Sequence, residues 1–501
     1  MLLRSIRRPL AAATFRPLCT APPSSPPPTP AAAALPSQRQ TDAIAHAWQQ
    51  WGRLERFLAT GQVCVIDGAN GTEIQRCGGK PAETFSSGTA PLERPDLCQE
   101  VHEAYLEAGA DILISNSYSA NRNVMSPSGN GERAVECILA ASAIARRATA
   151  THAAAHATKL STEAAAASAG ASATMAAAAT AAARATTSTS PNAGAAAAAE
   201  SAVAASTRAT EASLLAERAA QTVLVCAAAA NAAASASLAA SEGMELPAAA
   251  PPMQAPDAVP LQGWDAAGFG PTLVVGSLST HPPEMKAGGM SSAEASWPAP
   301  GEEAAAYGEA GVGHALSGVD MLWLEMMKDG EHAPRAVAAA AASGLPVFLG
   351  VSARTDRATG QLVLFGTGED CVPLRREWFD ELRDALGASL CGVNVMHTNF
   401  SSTAPALDFV RNECGWDGPL GAYPDHGAFE APEWVFRELD NSVALEHVES
   451  WIKDYGVQLV GGCCGLGPEY ITAVAGMARR HNATVREASR LYRFPSREIS
   501  V

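Results

Sequence analysis

The sequence lacks three features that would each point to a particular class of protein. It has no cluster of Lys and Arg with interleaved aromatic residues, and its 35 basic and 51 acidic side chains give a net charge of −16, so nucleic acid is not an expected partner. No window of about 20 residues has the Leu, Ile and Phe content of a membrane span. The 11 cysteines in 501 residues are neither dense nor evenly spaced, which argues against a disulfide scaffold and favours a reducing compartment.

Acidic residues are absent from residues 1–40, which are rich in Ala, Ser and Pro and contain five arginines. This composition is typical of an organelle transit peptide that begins with a basic amphipathic helix. The proline run after Pro22 predicts an extended linker. We interpret residues 1–40 as a leader for import, into a mitochondrion rather than a chloroplast. The alternative is a disordered tail on a cytoplasmic protein.

Eight short runs rich in Val, Ile and Leu stand apart along the chain, with helix-length segments between most of them. Continuous apolar runs of this length fit strands that are buried on both faces of a parallel sheet. The segments EAGADIL, LSGVDML and DYGVQLV each place a Gly at the end of a helix, before a strand. The pattern predicts an α/β fold, a (β/α)8 TIM barrel, with a doubly wound open sheet as the alternative. The predicted strands are residues 63–67, 111–116, 272–277, 320–325, 346–351, 391–396, 419–423 and 457–462.

Large apolar side chains are sparse in residues 151–250, where 46 of 100 residues are Ala. Alanine favours a helix, but such a helix has little surface to bury. We interpret residues 127–262 as one barrel helix, predicted over 131–148, followed by a low-complexity insertion that is partly helical or disordered. A second folded domain is the alternative, and residues 214–225 have an amphipathic pattern that would suit docking on the barrel. The barrel then comprises residues 41–126 and 263–485, before a tail of residues 486–501.

The strongest candidate site follows the last predicted strand, in Gly461-Gly462-Cys463-Cys464-Gly465. Active sites of such barrels lie at the carboxyl ends of the strands. Two adjacent thiolates can bind one soft metal ion, with Zn²⁺ as the natural candidate. A redox pair, a strained vicinal disulfide and two buried small apolar side chains remain as alternatives.

Polar side chains also follow other strands. Asp67 lies in the glycine-rich turn DGANGTE, whose backbone N–H groups can hold a carboxylate while Asp67 holds an ammonium group, a combination that suits an α-amino acid. A capping role for Asp67 is the alternative. Glu325 ends an apolar strand and requires a ligand or an ion pair there. For Asp425 and His426, loop capping and function remain equally open, and we interpret His102 and Tyr105 as structural.

In their order along the chain, these motifs resemble those of the homocysteine S-methyltransferase family. The resemblance covers residues 55–125 and 265–482 and includes VIDGANGTEIQRCG, ILISNSYSANR, GVDMLWLEM, CGVNVMHTN, GAYPDHG and VQLVGGCCGLGPEYI. It implies a (β/α)8 barrel with zinc at its open mouth. The metal would hold the thiol of homocysteine as a thiolate, which displaces a methyl group from a cationic donor to give methionine. No general base is required for that step.

The resemblance also implies roles for individual residues. Cys463 and Cys464 would be zinc thiolates. Asp67 and Glu325 would hold the ammonium group of homocysteine, and the turn Gly68–Thr72 would receive its carboxylate. The remaining residues expected at the substrate pocket are Asn116, Tyr118 and Asn394.

One residue departs from the family pattern. The family's zinc site has three cysteines, of which the first follows the Gly-Val-Asn of the sixth strand, and that position is Val395 here. His397 lies two residues further on and is our candidate for the third ligand, because imidazole binds zinc well. His426 or Asp425 is less favoured, Cys391 is too deep in the strand to reach, and loss of zinc is the remaining alternative.

These observations leave three functions open. The first is methyl transfer to homocysteine from S-methylmethionine or S-adenosylmethionine, because no cobalamin- or folate-binding region remains in the chain. The second is methyl transfer to another thiol or selenol, such as selenocysteine. The third is a catalytically silent barrel that binds an amino acid. The sequence does not determine the oligomeric state.

Overall fold

The structure is a computed structural model that describes residues 38–78, 88–185, 204, 207, 272–283, 296–365, 372–430, 433–435 and 439–491. All of them belong to one compact unit, Gln38–Val501. Almost all of the predicted leader, and residues 214–225, lie outside the described residues. Within the described part of the chain, no helix has both the length and the apolar character needed to cross a membrane.

All eight predicted strands are present, and they form one parallel sheet in which each strand pairs with its neighbours in chain order. The first and second strands close the ring through a bridge between Ile66 and Ile112 and a hydrogen bond of 2.9 Å from the Asp67 N–H to the Ile112 carbonyl. The closed ring confirms the TIM barrel and excludes the open sheet. The strands are β1 Cys64–Val65, β2 Ile112–Ile114, β3 Leu273–Ser279, β4 Met321–Met327, β5 Val347–Val351, β6 Leu390–Asn399, β7 Leu420–Asp425 and β8 Leu459–Val460.

Helices alternate with these strands and cover the outside of the barrel. Two small antiparallel hairpins are added, Ala353–Thr355 with Leu362–Leu364 after β5, and Ala428–Glu430 with Glu433–Val435 after β7. The helices are α1 Gln38–Leu58, α2 Asn70–Arg76, α3 Ala90–Glu93, α4 Pro95–Ala108, α5 Arg122–Met125, α6 Ala134–Ala185, α7 Pro300–Ser317, α8 Ala333–Ala342, α9 Arg376–Leu386, α10 Phe400–Asp408, α11 Asn441–Tyr455 and α12 Pro468–Leu491.

The buried apolar residues form two layers, because successive side chains of a strand point to opposite faces. Alternate strand residues such as Val65, Leu113 and Val395 pack between the sheet and the helices. The others, such as Ile66 and Trp323, fill the inside of the barrel. The same inner cluster contains four residues of α1 (Trp51, Leu54, Phe57 and Leu58), and the Trp51 ring meets Phe348 edge-on at 5.7 Å. Helix α1 therefore covers one end of the inner core, an element that the strand pattern does not predict.

The repeated glycine segments have the predicted role. Gly109, Gly318 and Gly456 end α4, α7 and α11 in the left-handed conformation that glycine adopts without a steric penalty. In the first two repeats, the Asp just before the next strand accepts a backbone hydrogen bond from a neighbouring strand. Asp111 accepts a hydrogen bond from the Val65 N–H (2.8 Å), and Asp320 accepts one from the Val274 N–H (2.7 Å).

Helix α6 differs from the predicted helix over 131–148. A 3₁₀ turn occupies Gly131–Arg133, and the α-helix then runs from Ala134 to Ala185 without a break at Thr151. Its residues up to Ala148 pack against the barrel, whereas the side chains described beyond Thr151 are mostly exposed. The high helix propensity of alanine accounts for this extension of the helix into the predicted insertion. Helix α12 likewise continues past residue 485, the predicted end of the barrel, to Leu491.

Candidate active site

A pocket opens at the carboxyl ends of the barrel strands, where the sequence predicts the active site. Seven of the ten predicted site residues line it: Thr72, Asn116, Tyr118, Glu325, His397, Cys463 and Cys464. The other three, Asp67, Gly68 and Asn394, are not in its lining, and the side chains of Asp67 and Asn394 are fully buried.

The two cysteines lie on a tightly packed loop after β8. A methyl group on Gly465 would stand 1.7 Å from the His426 carbonyl oxygen, and one on Gly462 would stand 2.6 Å from the Leu466 side chain, so only glycine fits at these positions. The loop is also held by a hydrogen bond of 2.6 Å from the Cys463 N–H to the Pro424 carbonyl. This packing places the Cys463 and Cys464 sulfur atoms 3.6 Å apart beside the pocket.

His397 completes a group of three metal-binding side chains. Its Nδ1 lies 3.1 Å from the Cys463 sulfur, and one ligand atom from each of His397, Cys463 and Cys464 falls within 4.8 Å of the other two. Tetrahedral zinc with sulfur at about 2.3 Å and nitrogen at about 2.0 Å holds its ligand atoms roughly 3.5 to 3.8 Å apart. The two cysteines and the histidine therefore fit a zinc ion in both chemistry and spacing.

None of the other candidate ligands belongs to this group within the described residues. Val395 packs in the outer layer between the sheet and the helices, and Cys391 belongs to the inner core of the barrel. Asp425 lines the pocket, and burial raises its pKa to about 7. His426 meets the Phe400 ring edge-on at 6.2 Å.

Glu325 is engaged by protein groups at both of its carboxylate oxygens. Its Oε2 lies 2.8 Å from Nε2 of His397, and its Oε1 accepts a hydrogen bond from the Ser277 hydroxyl. Both Glu325 and Ser277 are buried. The ion pair or ligand that the sequence requires for Glu325 is therefore supplied by His397.

These contacts alter the acidity of the site. The pKa of Cys464 is lowered to about 6, because Cys463 and His397 stabilise its thiolate, whereas burial raises the pKa of Cys463 well above its usual value. Burial disfavours the His397 imidazolium, but contacts with Cys464 and Glu325 outweigh that effect and raise the pKa of His397 to about 9. These shifts favour the thiolate form of Cys464, and they favour a proton on His397 that a metal ion would displace on binding.

Asp67 is buried outside the pocket lining and joins β1 to β2. Its Oδ2 accepts a hydrogen bond of 2.9 Å from the Ile114 N–H, whereas its Oδ1 is buried with no hydrogen-bond partner among the described residues. Burial raises the pKa of the Asp67 carboxyl well above its usual value. A cationic group that reached Oδ1 would restore the charged form of this carboxyl.

The turn after Asp67 is hydrogen-bonded to β7 and to the loop after β8. The Tyr423 hydroxyl donates a hydrogen bond of 3.1 Å to the Gly68 carbonyl, and the Gly465 N–H donates one of 3.4 Å to the Thr72 hydroxyl. A methyl group on Gly68 would lie 2.4 Å from the Leu466 carbonyl oxygen. Gly68 is therefore needed for close packing of the two loops.

Aromatic residues contribute to the rest of the pocket. The Tyr118 ring lies 5.4 Å from that of His397, and Tyr423 and Phe365 also line the pocket. Sequence reasoning missed Phe365, which follows the hairpin after β5 and has no local signal. It also missed Ser277, which the two-residue alternation of β3 would have placed inside the barrel.

Comparison with known proteins supports the resemblance. The sequence model of the homocysteine S-methyltransferase family matches residues 64–250 and 195–478, a range that contains all eight strands and the whole pocket. A solved structure, the metallated form of the homocysteine methyltransferase MmuM from Escherichia coli, is similar at a TM-score of 0.46 and 15% identity, over 85% of this chain and 99% of that chain.

Curated relatives match over shorter stretches. The chain is 43% identical over 70 residues to homocysteine S-methyltransferase 1 of Zea mays, which is 14% of this chain and 22% of that protein. It is 39% identical over 89 residues to selenocysteine methyltransferase of Astragalus bisulcatus, 18% of this chain and 26% of that protein. The matched stretches thus span about a quarter of the length of these relatives.

Proposed function

Because the chain belongs to the homocysteine S-methyltransferase family, we propose that it transfers a methyl group from a sulfonium donor to the thiol of L-homocysteine, giving methionine. The homocysteine thiolate attacks the methyl carbon, the new S–C bond forms as the donor's S–CH₃ bond breaks, and the electron pair of that bond leaves with the donor as a thioether. The observation that carries this proposal is the convergence of Cys463, Cys464 and His397 in the pocket.

We assign zinc to these three side chains, with His397 in place of the cysteine that the family has at residue 395. A zinc ion held there would keep the homocysteine thiol ionised near neutral pH. The protein supplies two thiolates and one imidazole, and the substrate thiolate would complete four ligands.

The amino-acid part of homocysteine is assigned to the β1 turn. The unpartnered, buried Oδ1 of Asp67 suits an ammonium group. Gly71 and Thr72, at the start of α2, line the pocket beside it and would receive the carboxylate. Asn116 also lines the pocket, whereas Asn394 is fully buried outside its lining.

The charge and aromatic content of the pocket favour a cationic methyl donor. Tyr118, Tyr423 and Phe365 supply aromatic faces, which attract cations, and Asp425 supplies a carboxyl group. S-methylmethionine and S-adenosylmethionine are sulfonium compounds and satisfy this requirement. Both are therefore candidate donors.

A second candidate function is methyl transfer to selenocysteine. Two relatives carry that activity in their names, one from Astragalus bisulcatus and one from Brassica oleracea var. italica. A selenol would occupy the same position as the homocysteine thiol. A barrel that binds an amino acid without turnover is the third possibility, and it predicts neither stoichiometric zinc nor methyl transfer.

The deciding experiment measures zinc content and methyl transfer on the same preparation of the full chain. We expect about one zinc per chain and transfer from at least one sulfonium donor to homocysteine. Cys463→Ser should abolish both, because it removes a thiolate ligand. Cys77→Ser changes an exposed cysteine outside the pocket and is the matched control. Absence of zinc and of transfer in the unaltered protein would refute the proposal, and a preference for selenocysteine over homocysteine would favour the second candidate.

We further propose that residues 1–40 direct the protein to an organelle, a mitochondrion rather than a chloroplast. The support is the arginine-rich, acid-free composition of this segment. Fusion of residues 1–40 to a fluorescent reporter tests the proposal, and a cytoplasmic signal would refute it.

A further inference from the structure

We propose that Glu325 is a positioning residue, which fixes the ring of His397 for metal binding and does not serve mainly to hold the substrate ammonium group. This inference rests on the proposed function, because it concerns the third ligand of the same zinc site. It changes the role that family resemblance gives to Glu325.

The His397 ring is held at both of its nitrogens. Nε2 lies 2.8 Å from Oε2 of Glu325, and Nδ1 lies 3.1 Å from the Cys463 sulfur. A carboxylate only accepts hydrogen bonds, so Glu325 requires the proton on Nε2. When a metal ion displaces the Nδ1 proton, the lone pair lies on Nδ1, which faces the Cys463 sulfur. Metal-binding histidines commonly donate their second ring N–H to a carboxylate in this way.

The position of Glu325 is itself fixed by buried serine side chains. Its Oε1 accepts a hydrogen bond from the Ser277 hydroxyl. The Ser277 N–H in turn donates to the Ser117 hydroxyl at 3.0 Å, and the Ser117 and Ser115 hydroxyl groups are 3.0 Å apart. All of these serines are buried. The chain of contacts therefore runs from β2 through β3 and β4 to His397 at the end of β6.

The two carboxyl groups that the family resemblance assigns to the ammonium group differ in their contacts with the protein. Asp67 has a buried Oδ1 with no hydrogen-bond partner among the described residues, whereas both oxygens of Glu325 contact protein groups. An ammonium group that took Glu325 as its main partner would compete with His397 or Ser277. Oδ1 of Asp67 has no such contact to lose among the described residues.

The test compares zinc affinity with homocysteine affinity in Glu325→Ala, Glu325→Gln and Ser277→Ala. Loss of a carboxylate behind a metal-binding histidine weakens metal affinity by roughly 10- to 100-fold. We expect that loss in Glu325→Ala, and a smaller loss in Glu325→Gln, which keeps an acceptor oxygen, and in Ser277→Ala. Glu309→Gln and Ser142→Ala are matched controls outside the pocket and should keep the zinc dissociation constant of the parent protein.

A double variant separates action through His397 from a direct effect. If Glu325 acts through His397, then Glu325→Ala should add nothing to the loss of zinc affinity caused by His397→Ala. The Co²⁺ absorption spectrum should also change in Glu325→Ala, because the orientation of a ligand changes. Unchanged zinc affinity together with a raised KM for homocysteine would overturn the inference and return Glu325 to the ammonium site.

The outcomes also distinguish this inference from the proposed function. If His397→Ala weakens zinc binding but Glu325→Ala does not, only the inference fails. If His397→Ala leaves zinc binding unchanged, the proposed ligand set fails with it. Should the alanine variants not fold, ¹⁵N NMR of the unaltered protein loaded with ¹¹³Cd shows which ring nitrogen of His397 binds the metal. Coupling of cadmium to Nδ1 of His397 is expected, and coupling to Nε2 would overturn the inference.

Discussion

Substitution of Val395 by cysteine tests whether the zinc site depends on His397. The family has a cysteine at this position, so Val395→Cys restores the family residue. In the structure, however, Asn394 and Met396 face the inside of the barrel, whereas Val395 is fully buried in the outer layer. It pairs with Val351 on one side and Ala422 on the other. We therefore expect the new thiol to face the helices and to leave zinc affinity unchanged within about twofold.

The magnitudes follow from the environment of each residue. Val395→Cys removes about one methyl group from a packed core, which costs roughly 1 kcal/mol of unfolding free energy. His397→Ala removes one ligand from a zinc site whose total binding free energy is about 10 to 16 kcal/mol, so one of four ligands contributes about 3 kcal/mol. That corresponds to a loss of zinc affinity of about 100-fold.

The assay is a competition titration with a zinc chelator on three proteins: Val395→Cys, His397→Ala and the double variant. The double variant should bind zinc as weakly as His397→Ala. A thiol reagent should modify the introduced cysteine only after unfolding, because residue 395 is buried. Recovery of normal zinc affinity in the double variant would refute the reasoning, since residue 395 would then reach the pocket.

Two further predictions concern stability. Asp320→Ala should lower the free energy of unfolding by about 3 to 5 kcal/mol. The substitution leaves the Val274 N–H without its acceptor, and it removes the buried partner of Arg146, which lies 2.7 Å from Asp320. Urea titration measures the free energy of unfolding, and a loss below 1 kcal/mol would contradict the prediction. Burial lowers the pKa of His314 from 6.5 to about 4, so the stability that neutral His314 provides is complete above pH 6.5 and is lost as the pH falls toward 4. At pH 5 the loss of unfolding free energy is about 2 kcal/mol relative to pH 7. His314→Gln should remove that part of the acid sensitivity. An unchanged dependence of stability on pH would contradict the prediction.

Much of the barrel was predictable from the sequence because its strands are buried on both faces. Such strands appear as isolated apolar runs, and glycine marks the helix ends before three of them. Helix α1 was missed because it belongs to no strand–helix unit, although its Trp51 contacts Phe348 across the inner core. The extent of α6 was underestimated because an exposed alanine-rich helix has no apolar periodicity to mark its end.

The candidate site was predictable where a motif and a strand end coincide. Cys463 and Cys464 combine an unusual pair of residues with close-packed glycines, and the structure places His397 beside them. The contact of Glu325 with His397 was not predicted, because the family resemblance assigns Glu325 to the substrate ammonium group and no motif pairs these two strand ends. Pairs of this kind arise only when the barrel brings distant strand ends together.

The conformation of His397 explains how a ligand can move by two residues while the barrel stays intact. Among the described residues that are not glycine, only Met326 and His397 have positive φ angles, 57° and 49°. Each lies where the pairing of its strand shifts register, between Leu324 and Met327 in β4 and between Met396 and Asn399 in β6. Such irregularities re-aim side chains at the ends of barrel strands, and left-handed backbone at a non-glycine residue costs about 1 to 3 kcal/mol.

Without the shift in β6, strict alternation would follow Met396, which faces inward, with an outward residue at 397. The irregular backbone turns His397 into the pocket instead, where Glu325 and Cys463 engage its two nitrogens. With His397 as the proposed third ligand, the end of the strand and not the strand itself supplies that ligand, and position 395 is free to hold a core valine.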